Sequence, residues 1–113
     1  CREAFEFYKS VLGGEFTYVG TFAEMPPQPG FELTDDLKNR IMHMTLQVDE
    51  STSLLGSDSG GEWAQGLVVG NNVTLSFNAA DSADGERIFG SLSEGGTVTM
   101  PFAEVFWGGL FGG

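Results

Sequence analysis

A handful of residues in this 113-residue chain have side chains suited to chemistry, and their types narrow what that chemistry can be. His43 is the one histidine. Imidazole can exchange a proton near neutral pH or anchor a polar ligand, and it can equally be a structural residue hydrogen-bonded within a sheet. Glu24, in "FAEMP", could reach a site from a long loop, or could be one exposed acid among 16 acidic residues. Glu104 precedes an aromatic run and could act as a general base there, or could alternate outward beside Val105. Asp58 could accept a hydrogen bond from a ligand or cap a turn. A lone histidine does not make a multi-histidine metal centre. No Ser-His-acid or Cys-His arrangement can be placed, and "GGEWAQG" lacks the Lys-Ser/Thr of a phosphate loop.

Binding is better supported than catalysis. Small-molecule pockets are mostly apolar and aromatic with a few placed polar groups. Trp63, Phe102, Phe106 and Trp107 fit the first requirement, although core packing or a subunit interface uses the same side chains. Asn72, Thr74, Ser76 and Asn78 fit the second: they share one face of an alternating segment, uncharged but polar, suited to a cavity wall or a solvated face.

These residues must be held by secondary structure, and periodicity indicates which. Ala4, Phe5, Tyr8, Val11 and Leu12 recur at helical spacing, and Gly13-Gly14 stops the helix. "EFTYVGTF" alternates, with Phe16, Tyr18 and Phe22 expected on one face. A Pro-containing excursion follows, of a length that is often functional or mobile. "RIMHMTLQV" is expected as a strand with Met42, Met44, Leu46 and Val48 on one face and Ile41, His43, Thr45 and Gln47 on the other. "TSLLGSD" is a third strand, "SGGEWAQG" a loop and "NNVTLSFNA" a fourth strand. "DSADGERIFGSLSEGG" is a helix capped by Asp81 or Ser82, with Ile88, Phe89 and Leu92 inward. "TVTMPFAEVFWG" is a hairpin or two short strands bent at Pro101.

Composition sets the outer limits. The length suits one domain. The net charge of −11 provides no basic footprint for nucleic acid and disfavours anionic membranes. No apolar run approaches the roughly 18 residues of a membrane-spanning helix. One cysteine, Cys1, excludes an internal disulfide and fits a reducing, cytoplasmic setting. The 17 glycines are scattered, consistent with many tight turns. The chain opens inside a helical pattern and closes on "EVFWGGLFGG", so a piece of a longer protein is expected.

The element order, together with the partial match of "FYKSVLGGEF" to "IFGSLSEGGTV", suggests two copies of a strand-helix-strand-strand-strand unit. In that order and spacing, "CREAFEFYKSVLGGEF", "FAEMP", "IMHMTLQV" with "LLGSD", the second helix and "FAEVFWGGLFG" resemble the vicinal oxygen chelate superfamily, which includes glyoxalase I, bleomycin-resistance proteins and extradiol dioxygenases. Within it the chain looks like the PhnB-like branch, which also has His at the position of His43. The resemblance implies an α+β fold of two βαβββ modules, here without the first and last strands: module one at 1–58, a loop at 59–71 and module two at 72–113.

It also implies a cleft and, in metal-dependent members, His and Glu ligands on inward strand positions. Two of those positions fall near Asn72 and near Gly56 or Ser57, and Asn is a poor transition-metal ligand. The expectation is therefore a metal-independent small-molecule-binding protein without cofactor, forming a homodimer. Its ligand would be held by Asn72, Thr74, Ser76, Trp63, Phe106 and Trp107, with His43, Glu24 and Glu104 as weaker catalytic candidates. The alternative is a metal-dependent lyase or dioxygenase whose ligands lie partly on the absent strands.

Overall fold

The apolar stripe of the first segment decides where it packs. In the computed structural model, which describes every residue except Pro27, Gln28, Phe31 and the side chain of Trp63, that stripe forms α1 (Arg2–Leu12) and buries Phe5 and Val11. The helix ends because Gly13 and Gly14 take φ of 78° and 86°, where a Cβ is strained. The Gly13 N–H closes the last turn on the Lys9 carbonyl at 2.9 Å.

The chain then reverses into β1 (Glu15–Thr21), which pairs antiparallel with β2 (Ile41–Gln47). β2 pairs antiparallel with β3 (Ser53–Gly56), so the sheet order is β1-β2-β3 and β2 is bonded on both sides. Ile41, Met44 and Leu46 are at most 1% exposed and pack with Phe5 as the core, so Ile41, expected on the face of His43, is buried instead. Tyr8, Phe16, Val19, Val48 and Leu54 pack around them. Full burial of each such side chain contributes about 1.5–3 kcal/mol. Gly56 permits the close approach of helix and sheet, since a Cβ there would lie 2.7 Å from the Phe5 ring.

The expected strict alternation of β1 is corrected by a bulge. Phe16 opposes Leu46 and Tyr18 opposes Thr45, with the register breaking between them. The inserted residue moves Phe16 to the helix side and leaves Tyr18 on the open side. The long excursion carries its own structure: a 3-10 turn at Phe22–Glu24 with Phe22 buried, and α2 (Asp35–Lys38), which buries Leu37 and is capped by Thr34. Arg40 ties it down, donating to the Ser59 carbonyl at 2.9 Å and to Asp36 at 3.0 Å.

The chain divides into two compact units, Cys1–Gly70 and Asn71–Gly113. In the second, Asp81 caps α3 (Ser82–Ser93) by accepting from the Asp84 N–H at 2.7 Å. β4 (Ala103–Glu104) and β5 (Leu110–Phe111) form an antiparallel pair. Gly108 and Gly109 turn the chain between them at φ of 98° and 81°.

The expected strand over "NNVTLSFNA" is not formed: residues 72–79 join no ladder, and Val73 and Leu75 are 80% and 90% exposed. Alternation makes a segment suited to a sheet, but a strand exists only with a hydrogen-bonded neighbour. The protein is therefore α+β, with one three-stranded antiparallel sheet, a two-residue strand pair and helices. None of its described helices is long and apolar enough to cross a membrane.

The two adjacent glycines separate backbone strain from steric collision. A Cβ on Gly13 meets open space, whereas one on Gly14 would run into the Gln47 carbonyl. Gly13→Ala is expected to cost about 1 kcal/mol and Gly14→Ala about 3 kcal/mol in urea denaturation. Equal effects would show that α1 does not seat against the β2 terminus in this way.

Candidate functional site

The open face of the three-stranded sheet holds His43. The bulge places Tyr18 opposite Thr45, and His43 opposite Gly20, on the side away from α1. Gly20 leaves room for this: the Tyr18 ring lies over it, and a Cβ there would come within 2.6 Å of the phenol oxygen unless the ring moved aside. The Tyr18 and His43 ring centroids are 5.9 Å apart with planes tilted by 43°. Thr45 Oγ1 and His43 Nε2 lie 3.3 Å apart, within hydrogen-bond reach. Leu55, across from Thr45 on β3, is 64% exposed. The face thus offers an aromatic surface, a half-buried imidazole and a hydroxyl, an arrangement suited to stacking and hydrogen bonding.

Two acids of the first unit are engaged in the fold. Glu24 is exposed and accepts from the Thr21 N–H at 3.1 Å, closing its 3-10 turn as a capping residue. Asp58 lines a cavity of about 340 Å³ with Phe22, Met42, Ser57 and Ser59. Its carboxylate accepts from the Ile41 N–H at 2.8 Å and from the Cys1 amino group at 2.6 Å. Burial pushes the Asp58 carboxyl up, but those two hydrogen bonds and the positive charges of the Cys1 amino group and Arg40 outweigh it and hold it below its ordinary value.

The larger cleft belongs to the second unit and lies entirely within it. It has a volume of about 830 Å³, and Phe77, Phe89, Phe102 and Phe111 contribute its aromatic lining. Phe89 and Phe102 stack at 5.5 Å with a 24° interplanar angle. Small residues make room for them: a Cβ on Gly112 would sit 2.8 Å from the Phe89 ring, and one on Gly85 would sit 2.9 Å from the Phe102 ring. Thr74, Ser76 and Asn78 supply neutral hydrogen-bonding groups.

Of the residues expected from the sequence to bind a ligand, Thr74 and Ser76 line this cleft and Asn72 does not. Phe106 and Trp107 lie outside its lining; Phe106 is 97% exposed and meets Trp107 edge to face at 4.8 Å. Trp107 reaches the lining only through Phe111, at 5.7 Å between ring centroids. Glu104 is exposed on β4 opposite Leu110, and the side chain of Trp63 lies outside the described residues. Phe89 was legible as part of the inner stripe of α3, but the other rings join it through chain reversals that have no local signature. Among the described residues, no group of three or more His, Cys, Asp or Glu is placed to hold a metal ion.

No family model matches the chain. Protein YjdN of Escherichia coli (strain K12) is 26% identical to it, over 99% of this chain and 78% of that protein. The crystal structure of protein PA1353 from Pseudomonas aeruginosa is similar with a TM-score of 0.79 and 35% sequence identity, over 99% of this chain and 77% of that one. The chain belongs to the same family as PA1353. Across the PA1353 family the parts to compare are therefore the open sheet face around His43 and the cleft around Phe89.

Asp58 gives a pH test of the first unit. Its carboxyl is ionised at lower pH in the folded chain than in the unfolded one, whose value is near 3.8. Its stabilisation is then complete above that pH and is lost as pH falls through the folded value. Asp58→Asn is expected to lower stability by about 1–3 kcal/mol at pH 7. The gap to the wild type should close on acidification below pH 3.8, read from urea midpoints across the range.

Proposed function

We propose that the chain is a small-molecule-binding protein of the vicinal oxygen chelate superfamily, in its PhnB-like branch, working as a homodimer in the cytoplasm without a metal cofactor. The observation that carries the binding reading is the cleft of about 830 Å³ in the second unit, with stacked phenylalanines on one side and Thr74 and Ser76 among its polar groups. That size and mixture suit a ligand of a few rings. The superfamily reading is supported by the order α1-β1-β2-β3, which matches the helix and three strands of a βαβββ module. α3 followed by the β4-β5 pair adds support, as the helix-then-strands order a second module would have.

The metal-free reading rests on residue chemistry. Asn72 offers an amide, and Gly56 offers no side chain and faces Phe5. The chemical step, if the protein performs one, would then depend on ligand positioning and neutral hydrogen-bond donors.

A thermal-shift screen of aromatic and heterocyclic metabolites tests the binding reading, since a ligand that binds only the folded state raises Tm. Thr74 is exposed at the cleft wall, so Thr74→Trp should abolish the shift while leaving the Tm of the free protein within about 2 °C. Absence of any stabilising compound would overturn the reading. Treatment with a strong chelator is expected to leave both Tm and ligand binding unchanged; loss of either would favour a metal-dependent lyase or dioxygenase.

A further inference from the structure

We propose that the cleft of the second unit selects ligands by charge, taking uncharged or cationic aromatic-apolar molecules and rejecting carboxylates and phosphates. This rests on the cleft being a binding site. Among the described residues, no Lys, Arg or His lines it. Residues 71–113 contain a single basic side chain, Arg87, against five acidic ones: Asp81, Asp84, Glu86, Glu94 and Glu104. Arg87 is outside the lining and is paired with Asp84 at 2.9 Å. The one charged residue that does line the cleft, Asp81, is acidic.

The feature that would argue the other way is the start of α3, which also borders the cleft. A helix N-terminus attracts anions through its unbonded N–H groups and its dipole. Here that capacity is partly taken up, and the group that takes it up is itself an anion. The Asp81 carboxylate accepts from the Asp84 N–H at 2.7 Å, and the Asp81 carbonyl accepts from the Gly85 N–H at 2.9 Å. A ligand anion placed there would displace or repel Asp81. Elsewhere in the cleft it would lose hydration against phenylalanine rings and neutral hydroxyls, which offer no opposite charge.

A cation meets the reverse situation. The faces of Phe77, Phe89, Phe102 and Phe111 are electron-rich, and cations are attracted to such faces. Asp81 in the lining adds a carboxylate with no cation beside it among the lining residues, and the hydroxyls of Thr74 and Ser76 can accept from an ammonium group. An uncharged molecule has no charge to desolvate and is limited mainly by its fit to the rings.

Three probes with one carbon skeleton and different heads test this: phenylpropanol, phenylpropylamine and phenylpropionate, titrated at neutral pH by calorimetry or NMR. The alcohol and the ammonium form are expected to bind at least about tenfold more tightly than the carboxylate. Thr97, exposed on the cleft lining, allows a complementary change: Thr97→Lys should strengthen phenylpropionate and weaken the amine. Phenylpropionate binding to the wild type as tightly as the alcohol would overturn the charge rule while leaving the cleft a binding site. Binding of none of the three would remove both the rule and the proposed small-molecule function. An unaltered preference in a folded Thr97→Lys variant would show that the probes sit elsewhere, which also overturns the rule.

Discussion

The first unit depends on the burial of one face of β2. Met44 and Leu46 are withdrawn completely from water against Phe5, and β2 is hydrogen-bonded on both edges. A strand so fixed cannot slip by one residue without turning its apolar set to solvent. His43 and Thr45 are therefore forced to the opposite face, and the partners that reach them come from the registers of β1 and β3. Even Asp58 serves this strand, since its carboxylate holds the Ile41 N–H where the ladder to β3 has ended. The open face is less a separate feature than the other side of the core.

The second unit solves its packing differently. It has no strand bonded on both edges, and its aromatic residues gather around α3 without closing over one another. Phe89 stacks on Phe102, Gly85 and Gly112 give those rings room, and a cleft remains where a larger sheet would supply a lid of side chains. Because the acids of this unit outnumber its bases five to one, the electrostatic character of the cleft follows from composition as much as from geometry. Apart from Asp81 the polar residues that line it are neutral, and phenylalanine rings supply much of the rest of its wall.

Legibility followed the range of the interactions involved. α1, α3 and the three strands of the first sheet were readable because side-chain period is local, at 3.6 residues in a helix and two in a strand. The glycine stops after α1 and the Asp81 cap of α3 were readable for the same reason. The bulge after Phe16 was not, since alternation read along one strand contains no information on the count of residues opposite it. Thr21 and Glu24 carry the spacing of a capping box, so the role of Glu24 in its turn was available to a local reading, yet a loop acid near an aromatic invites a more chemical one. Residues 72–79 show the converse. Their alternation is perfect, but no neighbouring strand is bonded to them.

By itself the sequence determined α1, α3, the strands of the first sheet, the burial of Met44 and Leu46 and the acidic, uncrosslinked character of the chain, because each depends on residue type and short-range spacing. Tertiary structure decided which aromatics meet. It brought Phe77, Phe89, Phe102 and Phe111 around one cleft, and left Phe106 in solvent although Phe106 and Trp107 had the stronger local signature. It also placed Tyr18 over Gly20 beside His43. The physical reason is that a cleft is made of contacts between residues distant in the chain, and those are set by strand register and chain reversal rather than by the period of any one segment.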